Sequence, residues 1–543
     1  MCAKCAQRLL VYLYSRGGGG GGVEGSVGGR SFRKRMGGTL SAEEPPAEEA
    51  LFDPEELRAL RNCYAMLASP SNGALEITAL LPWAALFRKG CPWAALFRKM
   101  AAVSTPVRWQ SFLGTIARCC KAHRSERCVT IASLYSGADD APLDKAALKA
   151  MLSDAFAAAR GGGDEPAAVA ATSSELDAVV ADVLAGGAGE AVPIEAWIGW
   201  VTAQLPSLPT AIEGFLLHYL CAVGHASAAG IASHSTAVAG GMRGSSATQI
   251  ASSAVHAEVP ASVLAPLQEP LLSCAEGQSE GTELLTPPSA WLLSLAISRG
   301  AREEAADWRC VYASEAMGLS MNRFSHHADG YAGPTLLLVL TDAAEVFGAY
   351  MDSPLKGSDK YFGGPSCLLF TLAPTFHVYR PTGLAKNFAL YNPPQKGQLA
   401  TTSYLSRSSG PPVPEVLGFG GQAVRFRMVL EDDMKVLRWH ASDTTYGSHP
   451  TPGGAPAEGV RQVRALELWG CGGADADKVL RELRSRRVRD ASRAGKVDRG
   501  AMFGLGKGND WRSEDNPDRM ILETAGAHTF YSHQLEKLPD ENH

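Results

Sequence analysis

The sequence lacks several features that would place it in a specialised class of protein. No uninterrupted apolar run approaches the roughly 20 residues that a membrane-spanning helix needs. Neither sign of charge is in large excess: the net charge is −5, so composition gives no electrostatic argument for nucleic acid as a partner. Hydrophobic residues make up 45% of the 543 residues, which is enough for more than one core, and the length suggests about two to four domains.

A regular cysteine framework is also missing, although the chain contains 12 cysteines. In a chain of this length, scattered cysteines indicate a reducing compartment rather than a disulfide scaffold. The densest cluster offers Cys119, Cys120, His123 and Cys128, but its spacing fits no common zinc site. We interpret these residues as ordinary helix cysteines, and we expect no metal site and no cofactor.

Residues 1–48 form a basic, Gly-rich segment that is predicted to be disordered. It can be interpreted as a tail, as an organelle transit peptide, or as upstream sequence from a misassigned start. The stretch "MGGTLS" from Met36 matches the pattern for N-myristoylation, which makes Gly37 the acceptor if translation starts at Met36. A single myristoyl chain binds membranes only marginally, so we expect a second contact.

A helical region is predicted over residues 49–221. The stretch around Gly73 has the outline helix, loop, short strand, helix, which is typical of an EF-hand, and the outline repeats near Ile194. The calcium-ligating positions of the first loop instead hold residues such as Ala68 and Ala79, and a hard cation needs several carboxylate oxygens. The pattern therefore predicts an EF-hand-like domain that does not bind calcium.

Two further stretches carry no obvious chemistry. The segments "LPWAALFRKG" and "CPWAALFRKM" repeat in tandem from Leu81, and a period of ten residues matches no solenoid class. Residues 222–283 are rich in Ala, Ser and Gly, which predicts a linker.

From Trp291 the pattern changes to short strands. One hairpin is predicted with Asp342 at its turn and a second with its turn near Pro374. The alternation in "VRFRMVL" predicts a strand with Val424, Phe426, Met428 and Leu430 on one face and Arg425 and Arg427 on the other. Many antiparallel strands with a few helices predict an α+β domain around a β-sandwich.

Six ordered blocks of this half resemble the TLDc domain, over residues 284–471. They are "LLTPPSAWLL", "WRCVYASEAMGLSMNRF", "GPTLLLVLTDAAEVFGAYMDSPLK", "YFGGPSCLLFTLAPTFHVYRPTG", "LGFGGQAVRFRMVL" and "ALELWG". The EF-hand-like region before them and "SEDNPDRMILETAG" after them look most like the mTOR-associated, lysosome-linked TLDc subgroup and its plant and algal relatives. The fold class that follows is α+β, with a C-terminal TLDc β-sandwich and surrounding helices after an α-helical EF-hand-like domain.

The resemblance implies a role in resistance to oxidative stress, and binding to subunits of the vacuolar-type proton ATPase. It implies no catalytic residue set. The lysosome-linked subgroup tends to carry a myristoylation signal, which adds weight to Gly37. The expected location is cytoplasmic, with peripheral attachment to the lysosome or vacuole membrane; an organelle transit peptide is the alternative. One departure is Tyr446, where the family usually has Phe.

The loop from Asp352 to Gly364 combines charges, aromatic residues and glycines. We predict that it is a presented loop on a rigid sandwich rather than a catalytic site. Its candidate partner-binding residues are Lys356, Asp359, Lys360 and Tyr361.

Other chemistry-bearing residues of this half have ordinary structural interpretations. Cys310 and Cys367 are predicted to be buried core thiols, and Glu467 a surface charge on a strand. The glycines of "LGFGGQ" predict a tight turn before a strand rather than a phosphate-binding loop.

Residues 472–543 are predicted to begin with a basic helix, in which Arg481, Arg484 and Arg487 are candidate partner-binding residues. Such a run is either a solvated face or a surface that docks on an acidic protein or on anionic lipid. The leading hypothesis is a non-enzymatic interaction protein at the vacuole or lysosome membrane. The alternatives are an enzyme of peroxide detoxification and an mTOR-type signalling adaptor.

Overall fold

The computed structural model describes eleven stretches of the chain and three single positions near residue 100. The stretches are 47–68, 107–136, 141–160, 173–186, 190–234, 270–274, 284–297, 307–394, 414–422, 425–448 and 458–496, with residues 96, 99 and 100 between the first two. Gly37, most of the tandem repeat and the predicted EF-hand loop around Gly73 lie outside the described residues.

The N-terminal part of the described chain is helical. After a short 3₁₀ helix at Ala47–Leu51, seven α-helices follow: α1 (Pro54–Leu67), α2 (Trp109–Cys120), α3 (Arg124–Ser136), α4 (Lys145–Ala159), α5 (Ser173–Ala185), α6 (Ile194–Gln204) and α7 (Leu208–His234). Helix α1 begins as its sequence indicates, because the Asp53 carboxylate accepts the Glu55 N–H while the Glu56 carboxylate accepts the Asp53 N–H. Helix α7 continues past residue 221, which was the predicted end of the helical region.

Two short strands pair inside the helical region. Strand β1 (Leu143–Asp144) lies between α3 and α4, β2 (Ala191–Val192) lies between α5 and α6, and the two are antiparallel. Two helix–loop–helix units are thus joined side by side through their loops. The second of these units, near Ile194, was predicted from the sequence, whereas the first, around Leu143, was not.

The C-terminal part is rich in antiparallel strands. Its helices are α8 (Pro287–Ala296), α9 (Ser314–Met317) and α10 (Met321–Ala328). Its strands are β3 (Leu272–Ser273), β4 (Trp308–Ala313), β5 (Thr335–Thr341), β6 (Val346–Met351), β7 (Leu368–Ala373), β8 (His377–Tyr379), β9 (Ala389–Tyr391), β10 (Leu417–Phe419), β11 (Met428–Glu431), β12 (Val436–His440), β13 (Ser442–Asp443), β14 (Gly447–Ser448) and β15 (Glu458–Gly470). The hairpin turns follow Thr341 and Ala373, as predicted.

Eleven of these strands form one hydrogen-bonded sheet in the order β8-β7-β6-β5-β15-β12-β11-β10-β9, with β4 on β15 and β3 on β4. The long strand β15 pairs with β12 through Glu458–Gln462 and with β5 through Val463–Gly470. Its two halves therefore belong to two layers, which contact each other where the rings of Phe347 and Trp439 lie 5.0 Å apart. The predicted α+β class with a β-sandwich is confirmed.

The helical region and the sandwich share one hydrophobic core. The rings of Phe156 on α4 and Trp291 on α8 lie 5.2 Å apart, and both side chains are buried. Strand β8, at the edge of the sheet, lies against the helices: the Phe376 N–H donates to the carbonyl of Ala178, and the Val378 N–H donates to Gln204 Oε1 at 2.6 Å. The helices therefore cover a sheet edge that would otherwise present unpaired backbone groups.

The chain divides into two compact units, Met1–Ala476 and Asp477–His543. The last described helix, α11 (Gly473–Lys496), begins in the first unit and supplies all the described residues of the second. No helix in the described stretches is long and apolar enough to cross a membrane.

Candidate functional site

The loop between β6 and β7, residues 352–364, is held in place by the carboxylate of Asp352. Oδ1 accepts the backbone N–H of Gly364 at 2.9 Å and lies 3.3 Å from the Cys367 thiol. A Cβ atom at Gly364 would lie only 2.5 Å from Oδ2 of Asp352, so this close approach requires glycine. The two ends of the loop are thereby joined.

The middle of the loop is bonded to β9, the other edge strand of the sheet. Phe362 and Ala389 exchange two backbone hydrogen bonds of 2.8 and 3.1 Å, and the Ser358 N–H donates to the Tyr391 carbonyl at 2.8 Å. These bonds cover part of the free edge and fix the loop against the sandwich. The loop is consequently a formed surface and needs no rearrangement to be presented.

The four loop residues predicted to bind a partner separate into two kinds. Lys356, Asp359 and Lys360 are exposed. Tyr361 is half-buried and packs on a small core cluster, with its ring centroid 6.5 Å from that of Phe426. Burial raises the pKa of Tyr361 to about 12, and its hydroxyl has no hydrogen-bond partner among the described residues. Tyr361 therefore anchors the loop, and the three charged residues form its accessible face.

The basic helix α11 belongs largely to the second unit. Arg481 is exposed, whereas Arg484 and Arg487 are half-buried, so only one of the three predicted candidates is fully presented. The exposed cations of this helix are Lys478, Arg481, Arg486, Arg489 and Arg493. Three of these cations are separated by 11 and 4 residues: Lys478, Arg489 and Arg493. This spacing places them on one face of a helix, so the face could have been recognised from the sequence alone.

Two charges of the sandwich lie where the sequence did not place them. Arg427 was predicted on the polar face of a strand, but it is 5% exposed, and its guanidinium lies 5.2 Å from the centre of the Tyr379 ring. Burial lowers the pKa of Arg427 from its ordinary value. The prediction was wrong because β11 begins only at Met428, and Tyr379 of β8, from the other layer, covers Arg427; alternation in sequence shows neither.

Glu467 was predicted to be a surface charge, which is also wrong. Its side chain is buried on β15, where it accepts the Leu284 N–H at 3.1 Å and the Trp469 indole N–H at 2.8 Å. Glu467 therefore has a structural role in joining the segment before α8 to β15.

The thiol predictions are confirmed. Cys310 and Cys367 are each 1% exposed, and burial raises the pKa of Cys367 to about 12. In the helical region, Cys119, Cys120 and Cys128 are buried in α2 and α3, and burial raises the pKa of Cys119 to about 12. Within the described stretches no group of three or more His, Cys, Asp or Glu residues is arranged to hold a metal ion.

The glycines of "LGFGGQ" form a turn before a strand, as predicted. Gly420 and Gly421 have φ of +66° and +62°, and a Cβ atom at Gly421 would lie 2.1 Å from the carbonyl oxygen of Arg425. The Asp443 carboxylate caps this turn by accepting the Gly421 N–H at 3.0 Å. The turn leads into β11 and not into a helix N-terminus, so it lacks the geometry of a phosphate loop.

Among the described residues beside β1 and β2, one carboxylate is used in a helix cap. The Asp144 carboxylate accepts the Ala147 N–H at 2.7 Å and so caps α4. Pro193 occupies the equivalent position after β2. The expectation of no calcium binding stays a prediction.

Comparison with known proteins identifies the C-terminal region. A family model described as "TLDc domain" matches residues 278–472. The chain is 27% identical over 171 residues to oxidation resistance protein 1 of Bos taurus, a match that covers 32% of this chain and 17% of that protein. It is 32% identical over 109 residues to nuclear receptor coactivator 7 of Mus musculus, a match that covers 19% of this chain and 12% of that protein.

A third relative matches a longer stretch. The chain is 27% identical over 191 residues to the MTOR-associated protein MEAK7 of Danio rerio, which covers 35% of this chain and 37% of that protein. In each of these comparisons the chain spans well under two thirds of the relative's length.

Proposed function

Because residues 278–472 form a TLDc domain, as in the oxidation resistance proteins, we propose that this chain is a non-enzymatic interaction protein in the defence against oxidative stress. The observation that carries the proposal is the loop 352–364, which is rigidly bonded at both ends and along β9. It presents two lysines and one aspartate on a formed surface, an arrangement suited to contact with a protein. The proposed partner is the vacuolar-type proton ATPase, with its subunits as the docking surface.

The loop suits docking better than catalysis for an energetic reason. Association is weakened when a binding segment must first be ordered, and a preformed loop avoids much of this cost. The accessible charges Lys356 and Lys360 favour an acidic surface on the partner, which would also accelerate encounter at low salt. Catalysis would require a nucleophile, a general base or a metal close to the loop, whereas its nearest thiol, Cys367, is buried with a raised pKa.

Affinity purification from native membranes tests this function. We expect the full chain to recover subunits of the proton pump, and the double variant Lys356→Glu/Lys360→Glu to recover at least several-fold less. Lys435→Glu is a matched control, because Lys435 is exposed in the β11–β12 turn of the same domain. Equal recovery by the double variant, with unchanged thermal stability, would show that this loop is not the docking surface.

The same purification distinguishes the second candidate, an mTOR-type signalling adaptor. This alternative is favoured by the length of the match to the MTOR-associated protein MEAK7. Recovery of a kinase complex without any pump subunit would support the adaptor and contradict the proposed partner.

We further propose peripheral attachment to the lysosome or vacuole membrane. The exposed cations of α11 would supply one contact with anionic lipid, and a myristoyl group on Gly37 the other if translation starts at Met36. Gly37→Ala should then shift the protein from membranes to the cytosol. An unmodified Gly37 in mass spectrometry of the native protein would contradict the lipid anchor and leave the docking loop unaffected.

A further inference from the structure

Cys274 directly follows strand β3, and Cys310 lies on the adjacent strand β4 of the TLDc domain. Strands β3 and β4 are parallel, with Leu272 opposite Trp308 and Ser273 opposite Arg309. One further step in this register places Cys274 opposite Cys310. The Trp308 N–H also donates to the Leu271 carbonyl at 2.9 Å, which fixes the alignment of the two strands.

The register brings the two thiols within reach of a covalent bond. Neighbouring strands lie about 4.8 Å apart, and this spacing falls inside the roughly 4.4–6.8 Å between Cα atoms that disulfides span. Cys274 and Leu272 both pack against the core cluster that contains Cys310 and Trp308, so the two side chains face the same side. Both residues are present as thiols.

We propose that Cys274 and Cys310 are a redox pair, which a peroxide converts into a disulfide between β3 and β4. The peroxide first oxidises the Cys274 sulfur to a sulfenic acid: an S–O bond forms, the O–O bond breaks and water leaves. The Cys310 sulfur then attacks the Cys274 sulfur, and the hydroxyl group departs as a second water with the Cys310 proton. Overall, two thiols and one hydrogen peroxide give one disulfide and two waters, and a dithiol reductant reverses the change.

The two cysteines differ in exposure, as this order of reaction steps requires. Cys274 is partly exposed, so a small oxidant reaches it, whereas Cys310 is 1% exposed. Burial and the nearby Glu467 carboxylate raise the pKa of Cys310, so it reacts slowly with free peroxide and the first oxidation falls to Cys274; Cys310 then attacks only the sulfenic acid held next to it. A second neighbouring pair, Cys63 and Cys221, is buried at both positions and offers no such entry.

A disulfide here would constrain the connection between the two halves of the first unit. The bond closes a loop that contains α8, whose Trp291 lies in the core shared with the helices. Oxidation would therefore attach β3, which lies within the predicted linker 222–283, covalently to the sandwich. This inference concerns the described fold and does not depend on the proposed partner.

Peptide mapping of the full chain tests the proposal. After treatment with stoichiometric hydrogen peroxide, non-reducing digestion and mass spectrometry should find a peptide that links Cys274 to Cys310. N-ethylmaleimide should label two fewer thiols per chain after oxidation than before it, and dithiothreitol should restore both thiols. The oxidised protein should unfold at a midpoint higher by ~5 °C, because the cross-link restricts the unfolded chain.

Three variants test whether the disulfide forms specifically between Cys274 and Cys310. Cys274→Ser and Cys310→Ala should each abolish the linked peptide, and Cys367→Ser, which removes another buried thiol of the same domain, should leave it intact. Cys274→Ser alters only a partly exposed residue, so it keeps the test valid if Cys310→Ala fails to fold. Three outcomes would overturn the proposal: Cys274 still reacts with N-ethylmaleimide after peroxide treatment, Cys274 is oxidised to a sulfinic acid without forming a linked peptide, or Cys274 bonds to a different cysteine.

Discussion

Glu213 on helix α7 shows what a single buried carboxylate contributes. It is 8% exposed, and the Arg127 guanidinium donates a hydrogen bond to its Oε2 atom. Burial raises the pKa of Glu213 to about 7, although Arg127 and Lys121 lower it in part. The ionised form is thus less favourable in the folded chain than in the unfolded chain.

The pKa of Glu213 predicts a pH dependence of stability. Because the folded pKa of about 7 lies above the ordinary 4.5, the contribution of this group is fully present below pH 4.5 and is lost as pH rises through 7. Glu213→Gln cannot ionise at this position, so we expect it to lack this loss. Between pH 5 and 8, the unfolding free energy of the variant should therefore rise relative to that of wild type by up to ~3 kcal/mol. Urea unfolding at four pH values measures the difference, and a constant offset between the two proteins would refute it.

Tyr446, the departure from the family's usual Phe, is a core residue whose hydroxyl is used. It is 1% exposed, and its O–H donates to the Phe388 carbonyl at 3.1 Å. Tyr446→Phe should remove this hydrogen bond, leaving the Phe388 carbonyl only the 3.3 Å bond from the Gly420 N–H, and should reduce the unfolding free energy by about 1 kcal/mol. Tyr350→Phe in the same sheet is a comparison that reports the effect of removing a hydroxyl from another buried tyrosine. Unchanged stability of Tyr446→Phe would mean that the hydroxyl contributes nothing.

At the scale of elements, the edge strand β8 depends on the helices that cover it. Gln204, the last residue of α6, accepts the Val378 N–H through its side chain, and its backbone carbonyl accepts a hydrogen bond from Arg380. His377 on the same strand lies 3.1 Å from the Asp182 carboxylate of α5. The ends of two helices thus occupy the position that another strand would take.

Gln204→Ala tests this contact. The change should leave the buried Val378 N–H without its acceptor and lower the unfolding free energy by about 1–3 kcal/mol. Gln462→Ala removes an exposed glutamine of β15 and should change the unfolding free energy by less than about 0.5 kcal/mol. Equal effects of the two substitutions in chemical unfolding would show that the side chain of Gln204 does not hold the edge.

At the scale of the whole molecule, the shared core makes the TLDc domain of this chain dependent on its helices. Trp291 is fully buried between α4 and the sheet, and the neighbouring Leu295 and Ala296 are also buried. A TLDc domain alone would expose part of this surface to water. The helical region is therefore part of the folding unit as well as a neighbour in sequence.

A fragment of residues 278–472 should accordingly be less stable than residues 47–496. We expect a difference of at least about 3 kcal/mol, since two or more large apolar side chains become exposed. Thermal unfolding of both fragments measures this, and residues 47–496 should unfold in a single transition. Two separate transitions, or a TLDc fragment as stable as the longer one, would show that the two regions fold independently.

Local sequence patterns determined several elements. The capping box of Asp53 and Glu56, the hairpin turns after Thr341 and Ala373, and the glycine turn at Gly420 all depend on residues close together in the chain. Backbone sterics and short-range hydrogen bonds specify such features, so they could be predicted from the sequence. The resemblance of six ordered blocks to the TLDc domain similarly gave the α+β class and its position in the chain.

Tertiary structure alone decided which charges are buried and which strands are covered. Arg427 and Glu467 have the alternation of surface residues, yet both are buried, Arg427 under Tyr379 of β8 and Glu467 against the segment before α8. The pairing of β1 with β2, the cover of β8 by Gln204 and the approach of Cys274 to Cys310 each join segments far apart in the chain. Burial at these positions depends on surfaces brought together only by folding, and no local pattern records which distant segment will supply the partner.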